Sequence, residues 1–109
     1  MDLLDSDLVL LERMQDVAAL RHRLMASDLA NAEVPGFKGF EVRFEEELAR
    51  ALARGEDPSG VRARLVERRE KPALEESMGD MARNTLLFRT WTRLLSIRLK
   101  GLRAAIGGR

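Results

Sequence analysis

Few side chains in this sequence could do chemistry, and their spacing argues against catalysis. The single histidine, His22, stands between Arg21 and Arg23 on a helical stretch. With two cations beside it and no second ligand nearby, it reads as a surface imidazole rather than a proton relay or a metal ligand. Glu45, Glu46 and Glu47 are consecutive. On a helix, neighbouring side chains diverge by about 100°, so the three form a solvated face and not a cation site. Ser27 and Ser59 lack an adjacent base, which a serine nucleophile requires. Gly36 and Gly39 do not follow a strand in a phosphate-cradling loop. The absence of cysteine removes disulfides and thiolate metal sites. These residues imply no enzyme, no cofactor, no metal and no small-molecule substrate.

Assembly is the chemistry that remains, and length and charge constrain it. At 109 residues the chain is one domain at most, and with 5% aromatics aliphatic side chains must do the packing. Net charge is only +1, which speaks against nucleic acid as a partner. The charge is unevenly spread, however. Residues 1–20 carry five acids and one base, while seven bases and no acid follow Asp80. Opposite charge at the two ends favours pairing of those ends, within or between chains. No apolar run approaches the ~20 residues that would span a bilayer. The N-terminus has no Sec-type leader pattern, so the expectation is a cytoplasmic protein or one exported without a cleaved signal peptide.

Two long helices are expected to flank a short middle, a mainly α fold divided as 1–33, 34–73 and 74–109. Leu74, Met78, Met81, Thr85, Phe88, Thr92, Leu95, Leu99, Leu102 and Ile106 alternate spacings of four and three. That 3.5-residue repeat predicts a coiled-coil seam on a helix from about Pro72 to Ile106. Pro72 suits its first turn, and Gly107-Gly108 would end it. Leu10, Met14, Val17, Leu20 and Leu24 form a stripe on a second helix from about Asp7 to Glu33, with Asp5, Ser6 and Asp7 as candidate N-caps. The two helices form a coiled-coil-like pair. Pro35 stops the second helix, and Gly36 provides the backbone for a Pro-Gly turn. In the middle, Phe44, Leu48 and Leu52 predict a short helix stopped by Gly55. Residues 55–60 read as loop, Val61–Val66 leaves room for a short β element, and Glu67–Lys71 reads as solvated.

At its N-terminal junction the sequence resembles a known family. Leu24-Met-Ala-Ser-Asp-Leu-Ala-Asn-Ala-Glu-Val-Pro-Gly-Phe-Lys38 is similar to the signature shared by flagellar rod, hook and hook-associated axial proteins. Ala30, Asn31, Pro35, Gly36 and Lys38 match it, whereas Asp28, Val34 and Phe37 depart from it. Residues 74–89, with Leu94-Leu95-Ser96 and 101–107, resemble the C-terminus of the proximal-rod family of flagellar basal-body rod proteins, with Phe88 where a tyrosine is usual. The resemblance implies a structural subunit of the bacterial flagellum that stacks helically in the proximal rod, in the periplasm. It also implies export through the flagellar type III apparatus and terminal helices that are poorly ordered before assembly. Implied partners are the chain itself, other flagellar rod proteins, the rod-base adaptor protein and the flagellar export gate. Ala30, Asn31, Pro35, Gly36, Phe37 and Lys38 would form an assembly motif. Leu10, Met14, Val17, Leu24, Met81, Phe88, Leu95, Leu99, Leu102 and Ile106 would form the helix seam. A coiled-coil adaptor or an export chaperone is the alternative.

Overall fold

The computed structural model describes residues 3–107, with side chains described from Asp7 onward. Helix α1 spans Leu3–Ala30, strand β1 Phe40–Arg43, helix α2 Glu45–Ala53, strand β2 Arg64–Glu67 and helix α3 Leu74–Ile106. One 3₁₀ turn, Pro58–Gly60, interrupts the loop before β2, and the Asp57 carboxylate caps it by accepting from the Ser59 amide. The mainly α architecture with two long terminal helices is as expected. Several boundaries move. α1 begins at Leu3, so Asp5, Ser6 and Asp7 lie inside the helix instead of capping it. It ends at Ala30, three residues before Glu33. The side chains of Leu3 and Leu4, and Gly108 after α3, lie outside what is described.

α1 and α3 run antiparallel. Three polar ties mark their register: Asp7 with Arg98, Gln15 with Thr92, and Asn84 with the Ala18 carbonyl. The middle segment packs on a different side of α1. Its core is Val17, Val42 and the fully buried Phe44, surrounded by half-buried Met14, Leu20, Leu24, Leu48 and Val61. Most of the α1 stripe thus meets the middle segment rather than α3.

α2 forms where expected because acids fill its first turn and a glycine stop closes its last. Glu45, Glu46 and Glu47 occupy the first turn, where the helix dipole favours negative charge. At the other end Gly55 has φ +71°, and the amides of Gly55 and Glu56 donate to the carbonyls of Leu52 and Ala51 at 3.2 and 2.9 Å. This is a Schellman stop. The β element is two strands rather than one segment, and it starts later than Val61. β1 pairs antiparallel with β2 in the register Phe40 with Glu67 and Arg43 with Arg64. A four-residue strand such as Phe-Glu-Val-Arg has too short an alternation to be recognised without its partner.

The seam of α3 is rotated from the expected register. Met81, Phe88, Leu95 and Leu102 are half-buried. Between them the inward positions are Ser77, Asn84, Trp91 and Arg98, while Met78, Thr92, Leu99 and Ile106 are exposed. Ala18 explains the shift. It is 3% exposed, and its small side chain lets the backbones approach until the Asn84 Nδ2 reaches its carbonyl at 2.7 Å. Leu99 and Ile106 therefore do not bury the intrachain seam.

The result is a thin plate, 59 × 30 × 14 Å, with a radius of gyration of 17.0 Å. A compact chain of this length would give about 13 Å. The accessible surface is 7749 Å², about 1,650 Å² more than the roughly 6,100 Å² expected of a compact 12.3 kDa monomer.

Candidate assembly interface

The junction between α1 and β1 is built by local rules. The Asn31 amide group donates to the Ser27 carbonyl at 2.8 Å, beside the backbone bond from Asn31 N at 2.9 Å, and so satisfies an acceptor at the helix end. Asn31 does this without left-handed backbone, since no described non-glycine residue has positive φ. Val34-Pro35-Gly36-Phe37 then forms a type II turn, with Gly36 at φ +79° and the Phe37 amide 3.3 Å from the Val34 carbonyl. The Val34 carbonyl also accepts from Lys71 Nζ at 3.5 Å. Pro35, Gly36 and Lys38 are exposed at the turn, as is Ala30 on the last turn of α1. Phe37 is half-buried in a 110 Å³ cavity with Leu29, Ala32, Pro72 and Leu74, whereas Phe40 is exposed.

Beneath this turn lies a polar knot. Asp28 is buried on α1 and pairs with Arg68 at 3.4 Å. The Arg68 amide donates to the Gly39 carbonyl at 3.0 Å. Gly39 has φ +78°, and a Cβ there would lie 3.1 Å from Asp28 Cγ and closer still to Oδ1. Residue 39 must be glycine both for its backbone and for the carboxylate against it. Arg68, expected in solvent, is instead largely covered, with its side chain 19% exposed. The sequence carries one sign of this: Leu20, Leu24 and Asp28 are spaced by four, so the carboxylate continues an apolar stripe and requires a buried cation.

The charged groups here titrate in opposite senses. Burial raises the Asp28 carboxyl above its ordinary 3.8, and Arg68 partly offsets this. Glu45 is lowered from 4.5, chiefly by hydrogen bonds from Arg21 at 2.7 and 2.5 Å. The folded chain therefore binds the Asp28 proton more tightly than the unfolded chain. Its contribution to stability falls as pH rises from 3.8 through the raised value. Glu45 contributes above 4.5, and that contribution is lost as pH falls through its lowered value. Carboxyl-carbon NMR titration is expected to show this opposed pair, and Arg21→Gln should return Glu45 toward 4.5 while leaving Asp28 where it is. Movement of both carboxyls together would contradict these pairings.

The three acids of α2 point apart, as helix geometry requires. Glu45 meets Arg21, Glu46 lies 3.6 Å from Arg43, and Glu47 lies 3.0 Å from Arg50. His22 is exposed. Among the described residues no group of three or more His, Cys, Asp or Glu could hold a metal ion. No described helix is long and apolar enough to cross a membrane.

What the molecule presents outward is α3. Met78, Leu99 and Ile106 are exposed on one flank of its seam and Leu87 and Leu94 on the other, with Leu86 and Ile97 on the back. Of the expected seam residues, Met14, Val17 and Leu24 pack on the middle segment, and Met81, Phe88, Leu95 and Leu102 face α1. Leu10 is half-buried, and Leu99 and Ile106 are free to meet another molecule. Sequence reasoning missed Asp28, Gly39, Arg68 and Asn84. A helix with large aliphatics on every side is one that expects burial on every side.

No protein-family model matches the chain. Curated relatives do match it. The flagellar basal body rod protein FlgB of Salmonella typhimurium is 31% identical over 74 residues, covering 67% of this chain and 54% of the relative. That of Borrelia hermsii is 38% identical over 52 residues, covering 48% and 38%. That of Cereibacter sphaeroides is 31% identical over 107 residues, covering 81% of this chain and 84% of the relative. The chain spans about half the length of the Salmonella and Escherichia coli relatives and most of the length of the Cereibacter one. On that coverage and identity, the chain belongs to the FlgB family of flagellar basal body rod proteins.

Proposed function

We propose that this chain is a structural, non-enzymatic subunit of the proximal rod, stacking helically with its own copies and with other rod proteins in the periplasm. The observation that carries this reading is the apolar girdle of α3. The seam with α1 leaves Met78, Leu87, Leu94, Ile97, Leu99 and Ile106 uncovered, and exposed patches of this kind mark interfaces. The excess surface of the plate, about 1,650 Å², is twice the ~800 Å² that one partner contributes to a standard protein interface. Both properties suit a stave in a tube better than a free-standing domain. The rod-base adaptor and the flagellar export gate are the further partners in this reading. The exposed Pro35-Gly36 turn would then guide the chain out of the tube wall toward the middle segment.

Isolation of basal bodies from cells carrying a tagged copy tests the assignment. The chain is expected in the rod fraction, and its deletion should stop swimming. A coiled-coil adaptor or an export chaperone would instead be absent from the purified rod. Leu99→Asp is the sharper probe. Leu99 is 40% exposed, so the substitution should leave expression and folding unchanged while abolishing incorporation and motility. Normal swimming by that variant would overturn the role given to this flank.

A further inference from the structure

Two oppositely charged faces of the molecule are turned away from each other. On α1, Glu12 and Asp16 are one turn apart and exposed. On α3, Arg89, Arg93, Lys100 and Arg103 are exposed along the side opposite the seam. Among the described residues none of these six forms an ion pair within 4 Å, although nine other pairs are made. Intrachain pairing between the two faces is blocked because the α1·α3 seam lies between them. Among the described residues, the single bridge across that seam joins Asp7 to Arg98, and it uses neither face.

The two faces also match in shape and spacing. Arg89, Arg93 and Lys100 rim a surface notch of about 440 Å³ that contains the exposed Ile97. Glu12 and Asp16 edge a groove of about 340 Å³ whose apolar wall includes Val9, Val17 and Leu20. Each partner is an apolar patch with a charged rim, the usual anatomy of a protein interface. Glu12 to Asp16 and Arg89 to Arg93 are both steps of four residues, about 6 Å along a helix, so two ion pairs form side by side when the helices lie together. A net charge of +1 means that copies do not repel one another.

We infer that the Arg89–Arg93–Lys100 face of α3 receives the Glu12–Asp16 face of α1 from a second copy of this chain. This rests on the rod reading above and adds which surfaces meet. Because the two patches differ, the contact is heterologous and leaves a free patch at each end, the arrangement that propagates as a ring or an open helix. Exposed ion pairs contribute modestly to affinity. Their main effect here is on register and on choice of partner.

The lack of native cysteine makes the test direct. A chain carrying both Asp16→Cys and Arg93→Cys is expressed in flagellated cells and treated with a short bismaleimide. The expected product is a ladder of dimer, trimer and higher species, since every copy carries both thiols. Products that stop at dimer would overturn the head-to-tail geometry, and the absence of products in swimming cells would overturn the surfaces. Charge reversal gives an independent readout. Glu12→Lys with Asp16→Lys, or Arg89→Glu with Arg93→Glu, should each abolish swimming, and combining all four in one chain should restore it. Loss of swimming that the combination does not restore counts against the pairing. Salt-sensitive binding of duplex DNA that is lost in Arg89→Glu with Arg93→Glu, with no ladder, would reassign the basic face to nucleic acid. Normal swimming without the chain would instead defeat the rod reading itself, so the two failures are distinguishable.

Discussion

Phe44→Ala is expected to release the middle segment from α1. The ring is fully buried, and the other buried apolar residues described are only Val17, Ala18, Val42 and Ala51. Truncating a buried phenylalanine costs about 3–5 kcal/mol through lost transfer energy and the cavity left behind. Small domains hold only about 5–15 kcal/mol in total, and this core is at the small end for its length. Phe44 is also the residue before α2, and its carbonyl accepts from the Leu48 amide at 2.8 Å. Losing the ring therefore removes the anchor that sets the angle between β1 and α2. Amide hydrogen exchange provides the measurement. Protection at Glu41, which lies in a hydrogen-bonded pair of the ladder, and at Leu48 should fall by two to three orders of magnitude. Phe44→Leu should retain more of it, because it removes only half as many buried carbons. Unchanged protection in Phe44→Ala would mean that the middle segment is held by something other than this core.

Gly39→Ala is expected to damage the fold far more than Gly36→Ala, although the two backbones are nearly identical. Gly36 and Gly39 have φ +79° and +78°, so each alanine has the same left-handed cost of roughly 1–2 kcal/mol. The difference lies in the surroundings. A Cβ at residue 36 meets nothing within 4 Å, whereas one at residue 39 runs into the Asp28 carboxylate. That carboxylate is buried and paired with Arg68, so moving it pulls a buried charge away from its largely covered partner. Overpacking adds about 1–3 kcal/mol, and a broken buried pair adds more. Thermal unfolding of the two variants separates these contributions: Gly36→Ala should shift the midpoint by a few degrees, and Gly39→Ala by at least twice as much. Equal shifts would show that Asp28 yields freely. Asp28→Ala in the Gly39→Ala background should recover part of the loss if the clash is its cause.

These two residues show what the sequence makes legible. Gly36 could be read directly, because Pro-Gly demands a type II turn from its own atoms and the structure contains one. Gly39 could not, since its need for glycine comes from a carboxylate eleven residues earlier, brought near only by folding. The same division runs through the rest of the chain. Both long helices, α2 and the Gly55 stop follow from local periodicity and capping. The strands do not, because β1 becomes a strand only when Arg64–Glu67 pairs with it. On α3 the 3.5-residue repeat identifies a seam but leaves open which of two adjacent stripes faces α1. Asn84 resolves that choice through a carbonyl on the other helix, and a periodicity count cannot see such a partner. Leu99 and Ile106 are consequently on the outside.

The three polar ties between α1 and α3 have a mechanical consequence. Asp7–Arg98, Gln15–Thr92 and Ala18–Asn84 are distributed over the stretch of α1 from Asp7 to Ala18, about 16 Å of helix. A pull along the helix axes strains all three at once, so sliding requires their concerted rupture. A pull across the axes at the end bearing Asp7 and Arg98 loads the ties one after another, beginning with the outermost. The pair is thus stiff in shear and easily peeled. The pair therefore resists sliding while that end is held closed, and opens from it when it is not.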